Sequence, residues 1–425
     1  MNNRVMDRRS FLRTTAGTAA LGIAGGAVKG KSAARAASAK RTPGANDRIS
    51  VGVVGMGVRG TALADAVVNM SKNKGVNIEL AAICELWRVA REKKAAEFGE
   101  KTETKLKVFV RHEEMLEKAD VDAVIITTPD FWHVPVLLDC VRAGKDAYVE
   151  KPLGVTLEEA KAARDAVHAT DRVVQVGTQR RSEDKFHVAR DFVKTGQLGK
   201  ISTIECAFND CSPRWRREAQ CKKMKESDVD WKYYLRDRAY RPFNPRDILE
   251  WKLFRDFTMG TSGLLGCHIY DALQLVMDVP YPISAVSQGG VFVYKDGREV
   301  EDTFISLLEY PREFVAHYMT RLGNRASPGL KIRGVRGTLD AEAGRYSGEG
   351  GRKDDRLPDK PVKLTMPKQR RPSHMQNFFD CMRSRQTPIA SIDVGYQHMI
   401  TSVIAQEAMI QKRRLVYDPK RDRIV

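Results

Sequence analysis

The chain contains no run of about 18 consecutive apolar residues, the length that a membrane-spanning helix needs, so it offers no candidate span. Cysteine is scarce. The seven present (Cys84, Cys140, Cys206, Cys211, Cys221, Cys267 and Cys381) are odd in number and irregular in spacing, and none form a CxxC pair. Such a set specifies neither a disulfide framework nor a cysteine metal site. The closest three, Cys206, Cys211 and Cys221, read as ordinary free thiols, and no metal is expected. Also missing are a helix-turn-helix, a finger and an RNA-binding signature. The formal charge of +18 therefore needs another explanation. Eight basic residues and one acidic residue fall within positions 1–40, which leaves about +11 spread thinly over the remainder, and nucleic acid is not an expected partner.

What is present is a long globular chain. Its 425 residues, 42% hydrophobic and 30% charged, suffice for two or three ordinary domains with substantial cores. The first segment is an address rather than a structure. "RRSFLRT" at 8–14 precedes a weakly apolar Ala/Gly-rich stretch and then "ARAASA", with small residues at the spacing signal peptidases accept. This layout resembles a twin-arginine signal, which implies export of an already folded protein across a bacterial inner membrane through the twin-arginine machinery, to the periplasm. Residues 1–39 are assigned to it and 40–47 to a linker.

From Ile49 onward apolar β-rich runs alternate with helical-period segments. Strands are expected at Ile49–Val54, Ile78–Cys84, Lys107–Val110, Ala123–Thr127, Ala147–Glu150 and Val173–Val176, with helices between them. The alternation predicts an α/β fold, a doubly wound parallel sheet. "GMGVRG" follows the first strand directly and opens a helix, which gives the glycine pattern a mechanism. Gly55 permits a tight turn, Gly57 lets the backbone approach a diphosphate, and Gly60 allows close helix–strand packing. Met56, Val58 and Arg59 complete the loop. Glu85 ends the second strand, 25 residues beyond Gly60, where a carboxylate can accept both ribose hydroxyls and repel a 2′-phosphate. NAD is favoured over NADP, with Arg88 the residue that could serve a phosphate instead.

The stretch "VDAVIITTPDFWHVPVLLDCVRAGKDAYVEKPLG" (121–154) resembles the Gfo/Idh/MocA family of glucose–fructose oxidoreductase and inositol dehydrogenase relatives. The likeness continues through "GTQRRSEDKFHVARDFVKTGQLGKI" (177–201), "RPFNP" (241–245) and "NFFDCMRSRQTPIASIDVGY" (377–396). It implies a Rossmann domain, placed at 48–175. An α+β domain with a large, mainly antiparallel sheet is placed at 176–395 for substrate and oligomerisation, and a C-terminal helix and tail at 396–425. It also implies that Lys151 of "EKP" is a base for a sugar hydroxyl or a donor to its oxygen, with Glu150 and Pro152 shaping the turn. Thr128, Pro129, Trp132 and His133 would lie along the cofactor, with His133 either a contact or only a helix cap. Gln179 and Arg180 would reach the nicotinamide and substrate side. Relatives carry Asp four residues before a His and a second Asp three residues after it. Here His268 and Asp271 keep the second spacing, while Leu264 occupies the first position. His268 then serves as acid or base oriented by Asp271, or the two form a buried structural pair.

Three functions are compatible with these residues. The chain is expected to be an exported NAD-dependent oxidoreductase acting on a sugar, polyol or glycoside, with tightly held, internally recycled NAD(H), and to be a homo-oligomer. The alternatives are an NAD-using glycosidase, lyase or epimerase with transient oxidation, and a non-catalytic sugar-binding or sensing protein.

Overall fold

A computed structural model describes residues 47–102, 105–352 and 356–425. The signal and linker expected at 1–39 and 40–47 lie almost wholly outside the described residues. The first layer is built from β1 (Ile49–Val54), α1 (Val58–Lys74), β2 (Ile78–Cys84), α2 (Arg88–Lys101), β3 (Lys107–Phe109), α3 (His112–Lys118), β4 (Ala123–Ile126), α4 (Asp130–Arg142), β5 (Asp146–Val149), α5 (Leu157–His168) and β6 (Val174–Val176). Its six strands are all parallel, in the order β3-β2-β1-β4-β5-β6. Strands such as "AVII" and "DAYV" are buried at every residue because helices cover both faces, so they read as continuous rather than alternating sequence. The order reverses between β1 and β4. That reversal opens a crevice at the carboxyl ends of the strands, where open α/β sheets bind ligands.

Beyond a short turn lie α6 (Asp184–Lys194) and β7 (Ile201–Ala207), then a run of α7 (Glu218–Cys221), α8 (Trp231–Leu235) and α9 (Pro245–Leu249), and finally α10 (Cys267–Met277). The second sheet adds β8 (Ser284–Gly290), β9 (Thr303–Tyr310), β10 (Phe314–Arg321), β11 (Leu330–Gly334), β12 (Gly337–Asp340), β13 (Arg345–Ser347) and β14 (Val362–Lys363). After α11 (His374–Ser384) and α12 (Ile392–Gln411), the strands β15 (Leu415–Asp418) and β16 (Arg423–Ile424) close its other edge. The ten strands run β14-β13-β12-β11-β7-β10-β9-β8-β15-β16, antiparallel except where β7 meets β10. This is the α+β domain the resemblance implied.

The linear boundaries need two corrections. Helix α12 starts at Ile392, capped by the Ser391 hydroxyl, so a division at 395/396 cuts its first turn. Helix α11 returns to the first sheet, where Met375, Phe378, Phe379 and Met382 share a core with Ile49, Val51, Val53 and Val67. Which sheet α11 covers depends on a long-range return of the chain.

Residues between β7 and α10 form a cover rather than a layer. They reach the first domain through named contacts. Asp228 accepts from Arg88 at 2.6 Å, Tyr233 donates to Glu113 at 2.8 Å, and Trp132 donates its indole N–H to the Tyr234 carbonyl at 3.0 Å. Trp132 and Tyr233 stack with ring centroids 5.1 Å apart. Helix α4 begins at Asp130 and has Pro135 inside it. Proline has no N–H, so the Phe131 carbonyl lacks its helical donor. The Arg236 guanidinium from the cover donates to it at 3.0 Å, a tertiary contact that repairs a local defect.

Candidate functional site

The glycine loop joins β1 to α1 at the topological switch. Gly55 has φ +90°, a left-handed conformation that favours glycine, and an added Cβ would stand 2.9 Å from the Thr127–Thr128 backbone. At Gly60 an added Cβ would sit 1.8 Å from the Gly55 carbonyl oxygen, so the helix can approach the loop only without a side chain. Gly57 differs: its Cβ position meets nothing within 4 Å. That open space lies at the amino end of α1, where free N–H groups and the helix dipole favour a diphosphate.

Glu85 stands where the sequence placed it. One carboxylate oxygen accepts the Met56 N–H at 2.7 Å and the other the Trp87 N–H at 2.9 Å. Burial pushes this carboxyl up, and the Trp87, Met56 and Leu86 N–H groups pull it back. Each oxygen keeps a lone pair for a ribose hydroxyl. Arg88 is committed elsewhere, to Asp228 and Glu92, and does not line the cavity, which strengthens the preference for NAD.

The glycine loop borders a cavity of about 810 Å³. It brings together Gly55, Met56, Gly57, Val58, Arg59, Glu85, Thr128, Pro129 and Trp132, all expected from sequence. Its other wall was not expected: Trp215, Arg217, Gln220, Tyr233, Tyr234 and residues 248–252 of the cover line it as well. Among the described residues, Thr128 Oγ1 and Trp87 Nε1 are buried on this cavity without a protein partner. Orphaned polar atoms, an open glycine cradle and a poised carboxylate together fit a dinucleotide.

The strand-end "EKP" turn lies beside this cavity. The Lys151–Pro152 bond is cis. Glu150 is buried, accepts from Arg59 at 2.6 Å and from the Lys151 N–H at 3.2 Å, and so ties the glycine loop to the turn. The Lys151 ammonium donates to the Leu264 carbonyl at 2.9 Å. Leu264 belongs to a π-helical turn, Ser262–Gly266, a departure from regular helix often found at functional sites. Its side chain packs with Leu265 and Leu322, so the position that relatives give to an acid contributes only its backbone oxygen here.

Several expectations are corrected. His133 is buried, and its nitrogens lie 2.7 Å from the Pro152 carbonyl and 2.9 Å from the Thr128 carbonyl. It clamps two loops together rather than lining the cavity. Asp271 does not orient His268. It is fully buried and accepts from Arg181 at 2.9 Å, with burial pushing its carboxyl up and Arg181 opposing that. A direct substrate contact is therefore not available to Asp271. The His268 ring stacks on Phe208 at 6.3 Å, and burial, then the Lys151 charge, push it well below the ordinary histidine range, so it is neutral. Arg180 pairs with Glu342, and Gln179 keeps a buried carbonyl oxygen unpartnered among the described residues.

Among the described residues His112, Glu113 and Asp139 lie close enough to share a cation. Both His112 nitrogens are already occupied, however, one by the Tyr233 hydroxyl and one by Asp139, each at 2.9 Å. All seven thiols are free.

The chain matches two family models: the oxidoreductase family NAD-binding Rossmann fold over residues 49–178, and the same family's C-terminal alpha/beta domain over 230–416. An alpha-N-acetylgalactosaminidase from Shewanella oneidensis is 26% identical over 239 residues, 53% of this chain and 50% of that protein. The chain spans about half or less of the length of such curated relatives. Among solved structures, the aldose-aldose oxidoreductase from Caulobacter crescentus complexed with glycerol superposes with a TM-score of 0.65 at 18% identity, covering 87% of this chain and 99% of that one. The WlbA dehydrogenase from Bordetella pertussis, in complex with NADH and UDP-GlcNAcA, gives 0.65 at 17%, with the same coverage of each.

Proposed function

The chain belongs to the Gfo/Idh/MocA oxidoreductase family, whose N-terminal domain binds NAD, and on that premise we propose that it is an exported enzyme oxidising a sugar, polyol or glycoside with a retained, internally recycled NAD(H). The observation that carries retention is the cover. Tyr233, Tyr234 and residues 248–252 complete the dinucleotide cavity, and the cover is fastened to the first domain by Arg88–Asp228, Tyr233–Glu113 and Trp132–Tyr234. A cover fastened this way adds contacts to a bound cofactor and slows its departure, and affinity among related complexes is set mostly by the off-rate.

Bound NAD supplies a hydride acceptor. Glu85 would hold the ribose, the 55–60 loop the diphosphate, and Thr128 and Pro129 the face of the nicotinamide half. Lys151, now on the Leu264 carbonyl, can turn its ammonium to a substrate hydroxyl oxygen, fixing that oxygen and stabilising charge that develops on it. His268, neutral, offers a hydrogen bond on the other side. A second reading draws on the name of the Shewanella relative: transient oxidation labilises a glycosidic bond and is then reversed, with no net redox change. The retained cofactor suits both.

Protein purified from the exported fraction and dialysed at length is expected to keep near-stoichiometric NAD(H), and to cycle at 340 nm with a panel of sugars and glycosides without added cofactor. An empty protein that needs millimolar NAD⁺ would overturn retention. Replacing Arg8 and Arg9 by lysine is expected to hold the precursor inside the cell, and undiminished periplasmic delivery on fractionation would sink the export assignment. The outer face of the second sheet exposes Val286, Ile305, Leu307 and Val315, an apolar surface that suits a second copy of the chain.

A further inference from the structure

A lysine that neither the glycine motif nor "EKP" predicts lies on the same cavity. Lys252 occupies a 3-10 turn, Trp251–Leu253, and lines the cavity together with the glycine loop, Thr128 and Pro129. The turn is rigidly held. Leu253 is buried and its carbonyl accepts both the Glu299 and Val300 N–H groups, while Glu250 is buried and grips Arg216, the Arg217 N–H and Arg246. The ammonium lies 5.1 Å from the centre of the Trp251 ring and makes no hydrogen bond or ion pair with the described residues. Three cations near it do have partners: Lys151 has the Leu264 carbonyl, Arg59 has Glu150 and Arg214 has Asp210.

We propose that Lys252 is a second acid–base group of this site, with its amine at the reacting end of the dinucleotide cavity, exchanging the proton of the substrate hydroxyl. This rests on the oxidoreductase reading above. The neutral amine takes the O–H proton and becomes ammonium. The C–O bond becomes a carbonyl, and the C–H pair leaves as hydride for the nicotinamide. When the hydride returns, the ammonium gives the proton back, so no further reactant is consumed. Position and chemistry agree. Lys151 acts as a donor, the acid position at 264 is apolar and His268 is neutral, so Lys252, an amine on the cavity lining without a partner among the described residues, is placed to change its proton. Burial, followed by the Lys151 charge, pulls Lys252 down to about 8, with Asp130 and Glu150 opposing and Arg214 adding to the fall. Around neutrality such a group exists in both forms, as a reversible proton exchanger must.

The test needs no known substrate. The holoprotein is trace-labelled with isotopic acetic anhydride between pH 6 and 10, and acetylation of the Lys252 peptide is followed by mass spectrometry, once with the cofactor oxidised and once reduced. The expected midpoint lies near 8, against about 10.4 for an ordinary lysine. It should fall by about one pH unit or more in the oxidised state, because the cationic ring then disfavours the ammonium. An ordinary midpoint, or one unmoved by redox state, overturns the proposal, since a merely structural lysine would not sense the ring. If the isolated protein carries no dinucleotide, retention fails, and the same titration with added NAD⁺ or NADH still decides the role of Lys252.

Discussion

Gly60→Ala is expected to cost the protein both stability and cofactor, whereas Gly57→Ala should cost it the cofactor alone. The two glycines stand three residues apart in one motif, yet an added methyl meets different surroundings. At position 60 it would lie 1.8 Å from the Gly55 carbonyl oxygen and 2.6 Å from Thr127 Oγ1. The first is backbone and cannot swing aside, so α1 must move off the loop. Overpacking of this kind costs roughly 1–3 kcal/mol or more. At position 57 the methyl meets no protein atom within 4 Å and fills the space left for the diphosphate. Denaturant midpoints should therefore fall for Gly60→Ala and hold for Gly57→Ala. Bound dinucleotide after dialysis should drop at least about tenfold in both, the equivalent of about 1.4 kcal/mol. Equal stability losses in the two variants would remove the distinction.

Lys151→Ala is expected to keep the fold and the dinucleotide and to lose turnover by at least about 100-fold, the scale of losing a donor aimed at charge developing on an oxygen. The side chain supports the fold through one hydrogen bond, to the Leu264 carbonyl, whose loss costs about 1 kcal/mol. Single-turnover absorbance of the bound cofactor reads the chemical step directly. Near-normal rates would make Lys151 a structural strut for the π-helical turn. His268→Ala, measured alongside, should not remove a pH limb between about 6 and 8. Burial holds the His268 imidazole well below its ordinary value, so its titration falls below that window.

Much of this molecule is legible in the sequence, and the physical reason is locality. The strands of the first sheet leave apolar runs in the sequence, and all six expected strands match the observed strands to within one residue at each end, with Ile49–Val54 and Ile78–Cys84 identical. The turn at Gly55, the packing at Gly60 and the carboxylate at Glu85 follow from short-range geometry: a motif, a strand end and a fixed spacing. The role of the strand-end lysine came with the family likeness. What the sequence could not decide is which distant groups share a charge, a carbonyl or a wall. Asp271 sits three residues from His268, yet it answers to Arg181, because a fully buried carboxylate is held by the cation that the fold brings to it. His133 sits in the first turn of a helix, yet its ring spans two loops. Leu264 gives Lys151 an oxygen through its backbone, which no side-chain pattern records. The cover over the cavity, the repair of the Phe131 carbonyl by Arg236 and the partnerless amine of Lys252 are all set by contacts between residues about a hundred positions apart. Periodicity and spacing carry no information at that range, and only the closed chain decides it.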